Sequence, residues 1–191
     1  IKEFIQLHGS VAPVEKRVLV FSTTFAPIGG AAEKAIGDVI EAMPDVHFDV
    51  VTSKFAPGLA DVEHLLPNVT VYRVGSGQPS DKYFLPYRGA RIARELIRKH
   101  HYIFMWSVLA SYGALAAALT RRGITHPLSL LATLADQRMP STFSLRHLPL
   151  RFALRHADQV SSTSERQERD VSRAAPKSRV TLSNRQGDAF A

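Results

Sequence analysis

The sequence predicts an α/β fold, a doubly wound, Rossmann-like parallel sheet of about seven strands. Short apolar runs rich in β-branched and aromatic residues alternate with helical patterns along the whole chain, which is typical of parallel crossovers with helices on both sheet faces. The 191 residues are enough for one domain with its own core. Because cysteine is absent, disulfide frameworks, thiol nucleophiles and Cys-ligated zinc are excluded. This composition fits a reducing compartment.

The first predicted strand is the apolar run at residues 17–25. It ends in the turn signal Pro27-Ile28-Gly29-Gly30. Apolar residues then recur at spacings of three and four through residues 32–43, which predicts a helix that ends before Pro44.

The rest of the chain continues the same alternation. The remaining predicted strands are residues 47–53, 69–74, 101–106, 127–134, 159–163 and 179–183. The remaining predicted helices are residues 88–100, 111–123, 145–156 and 165–173, with Pro149 expected to bend or restart the third of them. Residues 54–68, which contain two prolines and a glycine, are predicted to be a loop.

This pattern gives one domain at residues 17–183, preceded by an N-terminal extension at 1–16 and followed by the start of an interdomain linker at 184–191. In doubly wound folds, ligands bind at the carboxyl ends of strands near the point where the strand order reverses. The loops that follow Thr24, Trp106, Leu134 and Thr163 are therefore the candidates for the site.

The pair Gly29 and Gly30 stands between the first strand and the first helix. Without side chains, such a pair lets a phosphate approach the backbone, and the helix N-terminus adds free N–H donors. The alternative is that both glycines only provide a positive φ in a tight turn. No complete dinucleotide-binding or P-loop motif accompanies them.

Polar residues follow two later strands. Ser107 and Tyr112 come after the fourth strand, where they either bind a sugar hydroxyl or cap a helix, and Asp136 follows the fifth strand as a ligand residue or an ordinary loop carboxylate. The eight histidines show no metal-binding spacing, so no metal site is predicted. There is also no serine nucleophile motif.

Positive charge is concentrated in the second half of the chain. Residues 1–78 hold nine acidic and six basic residues, whereas residues 79–191 hold eight acidic and 18 basic ones. Residues 81–102 combine aromatic residues with a basic helix face, which favours an anionic membrane surface as a partner. The basic residues of this face are Arg88, Arg91, Arg94, Arg98 and Lys99. An ordinary surface helix and a nucleic-acid contact are the alternatives.

Together, these segments resemble the N-terminal domain of a GT-B glycosyltransferase, most closely the family 4 group. The resemblance runs from about Arg17 to Phe190. Its parts are RVLVFSTTFAPIGGAAEKAIGDVIEAM, HYIFMWSVLASYGALAAAL, PLSLLATLAD, RFALRHADQVSSTSERQERDV and RVTLSNRQGDAF. Each segment alone resembles the family only loosely. The order and spacing of the segments together make the resemblance more specific.

The resemblance implies a retaining transferase that moves a sugar from a nucleotide-diphosphate donor to an acceptor hydroxyl. It implies that Gly29 and Gly30 approach the donor diphosphate, that Asp136 is catalytic beside the reacting sugar, and that Ser107 and Tyr112 bind the acceptor. It implies no cofactor besides the donor substrate and no metal ion, because helix dipoles and basic side chains carry the phosphate charge.

The resemblance also implies partners. These are a nucleotide sugar, a glycan or lipid acceptor, and a donor-binding C-terminal domain or partner chain, without which we expect this chain to be inactive. Several family members act on lipid-linked acceptors through a basic helix in a position like residues 81–102, which implies a cytoplasmic protein bound peripherally to the inner face of the membrane.

Two departures from the family pattern keep other functions open. Met105 and Ser107 stand where the family often has histidines, and Ala135 precedes Asp136 where it often has another histidine. A non-catalytic module that kept the fold is one alternative. A nucleotide- or nucleic-acid-binding α/β protein is the other. Only the basic second half suggests it, so nucleic acid is not the expected partner.

Overall fold

The described residues form a sheet of eight strands, seven of them mutually parallel. The structure, a computed structural model, describes residues 15–109, 111–125, 128–133, 148–162 and 178–182. The strands are β1 Lys16–Phe21, β2 Val46–Ser53, β3 Val62–Leu66, β4 Val69–Val74, β5 Phe104–Val108, β6 Leu130–Thr133, β7 Gln159–Ser162 and β8 Arg179–Leu182. Their order in the sheet is β3-β4-β2-β1-β5-β6-β7-β8.

Helices pack on both faces of this sheet. They are α1 Ala31–Glu41, α2 Asp81–Lys99, α3 Tyr112–Arg122 and α4 Leu148–Arg155. Ile36 and Ile40 of α1 belong to one apolar cluster with Val18 and Val20 of β1. Buried residues of α2, α3 and α4 join the opposite cluster, which includes Phe21. The predicted doubly wound, Rossmann-like α/β class is therefore confirmed.

The central strands are apolar on both faces because both faces are covered. In β1, Val18 and Val20 point toward α1, whereas Leu19 and Phe21 point toward the other helices. All four are completely buried. This two-sided burial explains why the strand reads as a continuous apolar run in the sequence.

The prediction of about seven strands missed β3. Residues 62–66 lie in the segment predicted to be a loop, and they pair antiparallel with β4 at the edge of the sheet. An edge strand has one neighbour and needs few buried side chains. The exposed or half-buried sequence VEHLL fits this position and leaves no apolar run to recognise.

The prediction for the start of α2 was also wrong. The helix begins at Asp81 rather than Arg88 and contains Pro86 in its second turn. Proline removes one backbone donor there, but Leu85, Pro86 and Ala90 lie on the buried face of the helix. Tertiary burial therefore outweighs the unfavourable local propensity.

The C-terminal part follows the prediction where it is described. α4 begins at Leu148, which places Pro149 in the first turn, where its missing N–H is tolerated. The predicted helix at residues 165–173, the extension at 1–14 and the segment from 183 onward lie outside the described residues.

Candidate functional site

The order of the strands reverses between β1 and β5. From β1 the chain builds β2, β4 and β3 on one side, then returns to place β5 on the other side of β1. Two adjacent loops therefore leave the carboxyl edge in opposite directions, which opens a crevice for ligands. The loop after β1 leads to Gly29 and Gly30, and the loop after β5 leads to Tyr112.

Hydrogen bonds join these two loops. The Thr23 hydroxyl donates to Ser111 Oγ at 2.8 Å, and the Gly113 N–H donates to Thr23 Oγ1 at 3.3 Å. A Cβ atom at Gly113 would lie 3.0 Å from the Ser22 main chain, so the missing side chain allows α3 to begin directly against the end of β1. Sequence reasoning missed Thr23, Ser111 and Gly113, because their pairing spans about 90 residues.

Tyr112 is the first residue of α3 and is half-buried at this edge. Its ring meets that of Tyr83 edge to face, with 5.4 Å between the ring centres. Burial raises the pKa of Tyr112, and the neighbouring Tyr83 raises it further. The Tyr112 hydroxyl therefore stays protonated at neutral pH, and it can donate a hydrogen bond to a sugar hydroxyl.

Ser107 lies in a different environment from Tyr112. It belongs to β5, pairs with Phe21 of β1 and is completely buried. Its hydroxyl has no hydrogen-bond partner within the described part of the chain. Ser107 therefore lies below the edge, whereas Tyr112 lies at the edge, and their acceptor roles stay predictions.

Gly29 and Gly30 are both exposed and lead into α1. Gly30 is the N-cap residue with a φ of −100°, and the described glycines with positive φ are Gly75 and Gly77. The alternative that the pair provides a positive φ is therefore wrong. What the two glycines supply is exposed backbone, directly before a helix N-terminus.

Glu33 occupies part of that N-terminus. Its Oε2 accepts the Gly30 N–H at 2.9 Å, and its Oε1 accepts the Thr24 hydroxyl at 2.7 Å. A carboxylate already lies where the helix dipole favours negative charge. Sequence reasoning missed this residue, although the three-residue spacing from Gly30 to Glu33 is that of a capping box.

A groove of about 570 Å³ extends from the glycine loop along α1. Its opposite wall is formed by Leu65, Leu66 and Val69 at the turn between β3 and β4. Gly37 lines the helix side, and a Cβ atom there would meet nothing within 4 Å. The volume lies in the range of small-ligand pockets.

Backbone strain occurs next to the site. Leu109, directly after β5, has a φ of 60°, which is unusual for a residue with a branched side chain. Such conformations cost about 1–3 kcal/mol and cluster at functional sites. The strained residue lies at the start of the loop that carries Ser111 and Tyr112.

The predicted basic face on α2 divides into two parts. Arg88 and Arg91 are exposed, and Arg91 pairs with Glu95 at 3.3 Å. Arg94 instead donates from Nη2 to the Leu119 carbonyl at 2.7 Å and so holds the end of α3. Arg94 is half-buried and directed toward α3, whereas Arg98 and Lys99 are exposed at the end of α2, and the membrane role of all five residues stays a prediction.

The same helix exposes three aromatic side chains. Tyr83, Phe84 and Tyr87 are 56%, 50% and 76% exposed. The Arg88 guanidinium lies 5.4 Å from the centre of the Phe84 ring. We call Tyr83, Phe84, Tyr87, Arg88 and Arg91 the aromatic-basic patch.

At the amino edge of the sheet, opposite the crevice, Asp158 connects three elements. It accepts two hydrogen bonds from Arg121 of α3 at 2.6 and 2.8 Å and one from the Leu130 N–H of β6 at 2.8 Å. The Ala157-Asp158 pair that contributed to the family resemblance is therefore structural. Asp136, the predicted catalytic residue, lies outside the described residues.

Neither a metal cluster nor a membrane-spanning helix occurs in the described ranges. No group of three histidine, aspartate or glutamate residues there could hold a metal ion. None of the helices there is long and apolar enough to cross a bilayer.

Comparisons with known proteins agree with this geometry. Residues 30–184 match the family described as "Glycosyl transferase 4-like domain". Two solved structures of sucrose-phosphate synthase from Thermosynechococcus elongatus are similar, at TM-scores of 0.64 and 0.67 and identities of 15% and 16%. Each covers 87% of this chain. A search of curated proteins finds no match.

The two structures differ in how much of them this chain spans. It covers 87% of the first, which contains part of the synthase, and 47% of the second, so the chain spans about half of that longer structure. At such identities the likeness shows the fold, and the match over residues 30–184 shows the family. The chain belongs to the glycosyl transferase 4-like family and has the fold of the N-terminal domain of a GT-B glycosyltransferase.

Proposed function

We propose that this chain is the acceptor-side domain of a retaining glycosyltransferase that uses a nucleotide-diphosphate sugar. The observation that carries the proposal is the exposed Gly29-Gly30 backbone before α1, on one of the two loops that diverge where the strand order reverses, with Tyr112 following the other loop. Family membership supports the same reaction class. Whether the full-length protein transfers sugar is measured by the release of nucleotide diphosphate.

The glycine loop would stabilise the charge that develops on the leaving diphosphate. Backbone N–H groups and the positive end of α1 favour oxyanions at this position. Glu33 now accepts the Gly30 N–H, so a diphosphate would have to displace the Glu33 carboxylate, which carries the same sign of charge. The proposed site uses no metal ion, and the donor is its only cofactor-like group.

The acceptor would lie against the α3 side of the crevice. The half-buried Tyr112 would bind an acceptor hydroxyl, while Ser107 would support the floor from its buried position. Asp136 would act beside the reacting sugar, as the family resemblance implies. The nucleotide would be held by a second, donor-binding domain or partner chain, so we expect this 191-residue chain alone to transfer no sugar.

The aromatic-basic patch supports a lipid-linked acceptor. Exposed aromatic rings insert at the level of lipid headgroups, and arginines attract anionic lipids. Tyr83 belongs to the patch and also contacts Tyr112, so a membrane surface at the patch would lie beside the proposed acceptor site. We propose that the protein is cytoplasmic and binds peripherally to the inner face of the membrane.

The experiment is to incubate the full-length protein with a panel of nucleotide sugars and lipid or glycan acceptors. We expect acceptor-dependent release of nucleotide diphosphate and a product whose anomeric configuration, determined by NMR, equals that of the donor. An inverted product would contradict the retaining mechanism. Acceptor binding with no release from any donor would instead favour the non-catalytic module.

A further inference from the structure

A buried arginine connects the glycine loop to the edge of the sheet. Arg73 lies on β4, and its side chain is 1% exposed. Its Nη2 donates to the carbonyl of Ala26, the residue before Pro27, at 2.8 Å. We infer that Arg73 is the positioning residue of the Gly29-Gly30 loop, an inference that rests on the proposed role of that loop.

The same guanidinium also contacts β3 and the segment before it. Its Nη1 lies 2.7 Å from Glu63 Oε2 on β3 and donates to the Ala60 carbonyl at 3.2 Å. One planar group therefore joins the loop after β1 to the segment that leads into β3. Ala26, which Arg73 holds, and Leu65 of β3 both line the groove.

Stability alone explains this arrangement poorly. Burying a guanidinium is costly, and an apolar residue of similar volume is often as stable or more stable at such a position. The Nε atom of Arg73 is buried and has no partner within the described residues, which adds to the cost. What the buried guanidinium provides is a fixed position for the Ala26 carbonyl, which accepts its hydrogen bond.

The loop depends on that anchor. Pro27 has no N–H to donate. From within its own segment, the loop is held by the Ile28 N–H, which donates to Phe25 at 3.1 Å, and by the contact between Gly30 and Glu33. A diphosphate that displaced Glu33 would remove the second contact. The loop would then be tied to the sheet by Arg73 at Ala26 and by the Thr23 carbonyl, which accepts from the Ser53 N–H and the Thr52 hydroxyl, both at 3.2 Å.

The test measures amide hydrogen exchange and steady-state kinetics on the full-length protein. In Arg73→Met we expect exchange at the Ile28 and Gly30 amides to rise at least tenfold, and kcat/KM for the donor to fall at least tenfold. Arg73→Lys should rescue part of both effects, because an ammonium group keeps the charge but reaches fewer partners.

The matched control is Asn68→Ala. Asn68 lies between β3 and β4, and its side chain donates to the carbonyls of Met43 and Val46 at 3.2 and 3.1 Å, away from the loop. Its loss should lower stability without changing exchange at Ile28 and Gly30. If Arg73→Met does not fold, Glu63→Gln, which keeps the arginine, should show the same changes in smaller degree.

The outcomes separate the two claims. Unchanged loop exchange in the Arg73 and Glu63 variants, or equal changes in Asn68→Ala, would overturn the positioning role. Faster loop exchange with unchanged donor kinetics would support the positioning role and overturn the proposed function of the loop.

Discussion

A side chain at Gly75 would overlap the carboxyl group of Asp81. Gly75 has a φ of 122°, and the loop that it begins folds back over the first residue of α2. Asp81 Oδ2 accepts the N–H groups of Gly77 at 2.7 Å and Gln78 at 2.9 Å. The carboxylate thus organises the turn that places α2, and with it Tyr83, at the site.

This contact predicts an acid-sensitive step in stability. Burial alone raises the pKa of Asp81, but the backbone donors at Gln78, Ser76 and Gly77 outweigh it and lower the pKa below its ordinary value. The stabilisation is therefore complete above the unfolded pKa of about 3.9 and is lost as the pH falls through the folded pKa. Urea unfolding between pH 3 and pH 7 should show this loss in the wild type.

Asp81→Ala should unfold more easily at pH 7, by about 1–3 kcal/mol, and should lose less stability on acidification than the wild type. The exposed Asp45 is the control carboxylate, and Asp45→Ala should keep the wild-type pH profile. Equal acid sensitivity in Asp81→Ala and the wild type would contradict the role of Asp81.

Replacing either of two helical glycines with alanine should change the free energy of unfolding, but in opposite directions. Gly37→Ala should raise the free energy of unfolding by about 0.5–1 kcal/mol, because a Cβ there meets nothing within 4 Å and alanine favours the helix. Gly113→Ala should lower it by about 1–3 kcal/mol, because its Cβ would press against the Ser22 main chain at 3.0 Å. Equal signs in chemical denaturation would show that α3 does not begin directly against β1.

The aromatic-basic patch should bind anionic vesicles. Arg88→Ser/Arg91→Ser should weaken co-sedimentation with vesicles rich in phosphatidylserine, since each basic residue near the surface contributes about 1 kcal/mol. Arg94 is left unchanged because it holds the Leu119 carbonyl. The charge-matched control is Lys16→Ser/Lys34→Ser, which removes two exposed lysines elsewhere. Equal effects of the two double variants would mean that net charge, not the patch, drives binding.

Loss of the Asp158 carboxylate should be costly. Asp158→Ala leaves Arg121 Nη2 and the Leu130 N–H without their acceptor, while Arg121 Nη1 keeps the His156 carbonyl. The free energy of unfolding should therefore fall by about 1–3 kcal/mol. Thermal unfolding of Asp158→Ala and of the exposed control Asp38→Ala measures the difference. A melting temperature in Asp158→Ala equal to that of Asp38→Ala would show that Asp158 does not connect α3, β6 and β7.

The sequence reveals the central strands because both of their faces are buried, and it reveals Gly29 and Gly30 because turns have a local signature. It does not reveal β3, whose side chains are mostly exposed, or the early start of α2, where burial outweighs Pro86. The sequence does not reveal the role of Arg73 for a different reason. Its partners at Ala26 and Ala60 are backbone carbonyls in distant segments, and carbonyls carry no residue-specific signal.

The proposed function requires the Gly29-Gly30 backbone to approach the donor diphosphate. The test is steady-state turnover of the full-length Gly30→Val protein. The control is Gly58→Ala, because Gly58 is exposed, lies outside the groove lining, and a Cβ there would meet nothing within 4 Å. A Cβ at Gly30 would lie 3.3 Å from Glu33 Oε2, and the added methyl groups would cover the exposed backbone. Release of nucleotide diphosphate measures turnover, and urea unfolding verifies that each variant is folded.

We expect Gly30→Val to reduce kcat/KM for the donor at least 100-fold, which corresponds to about 2.7 kcal/mol of transition-state stabilisation. Its stability should change far less, and Gly58→Ala should keep wild-type turnover. Normal turnover by a folded Gly30→Val protein would contradict the diphosphate-binding role, because the glycine loop would then be a turn and nothing more.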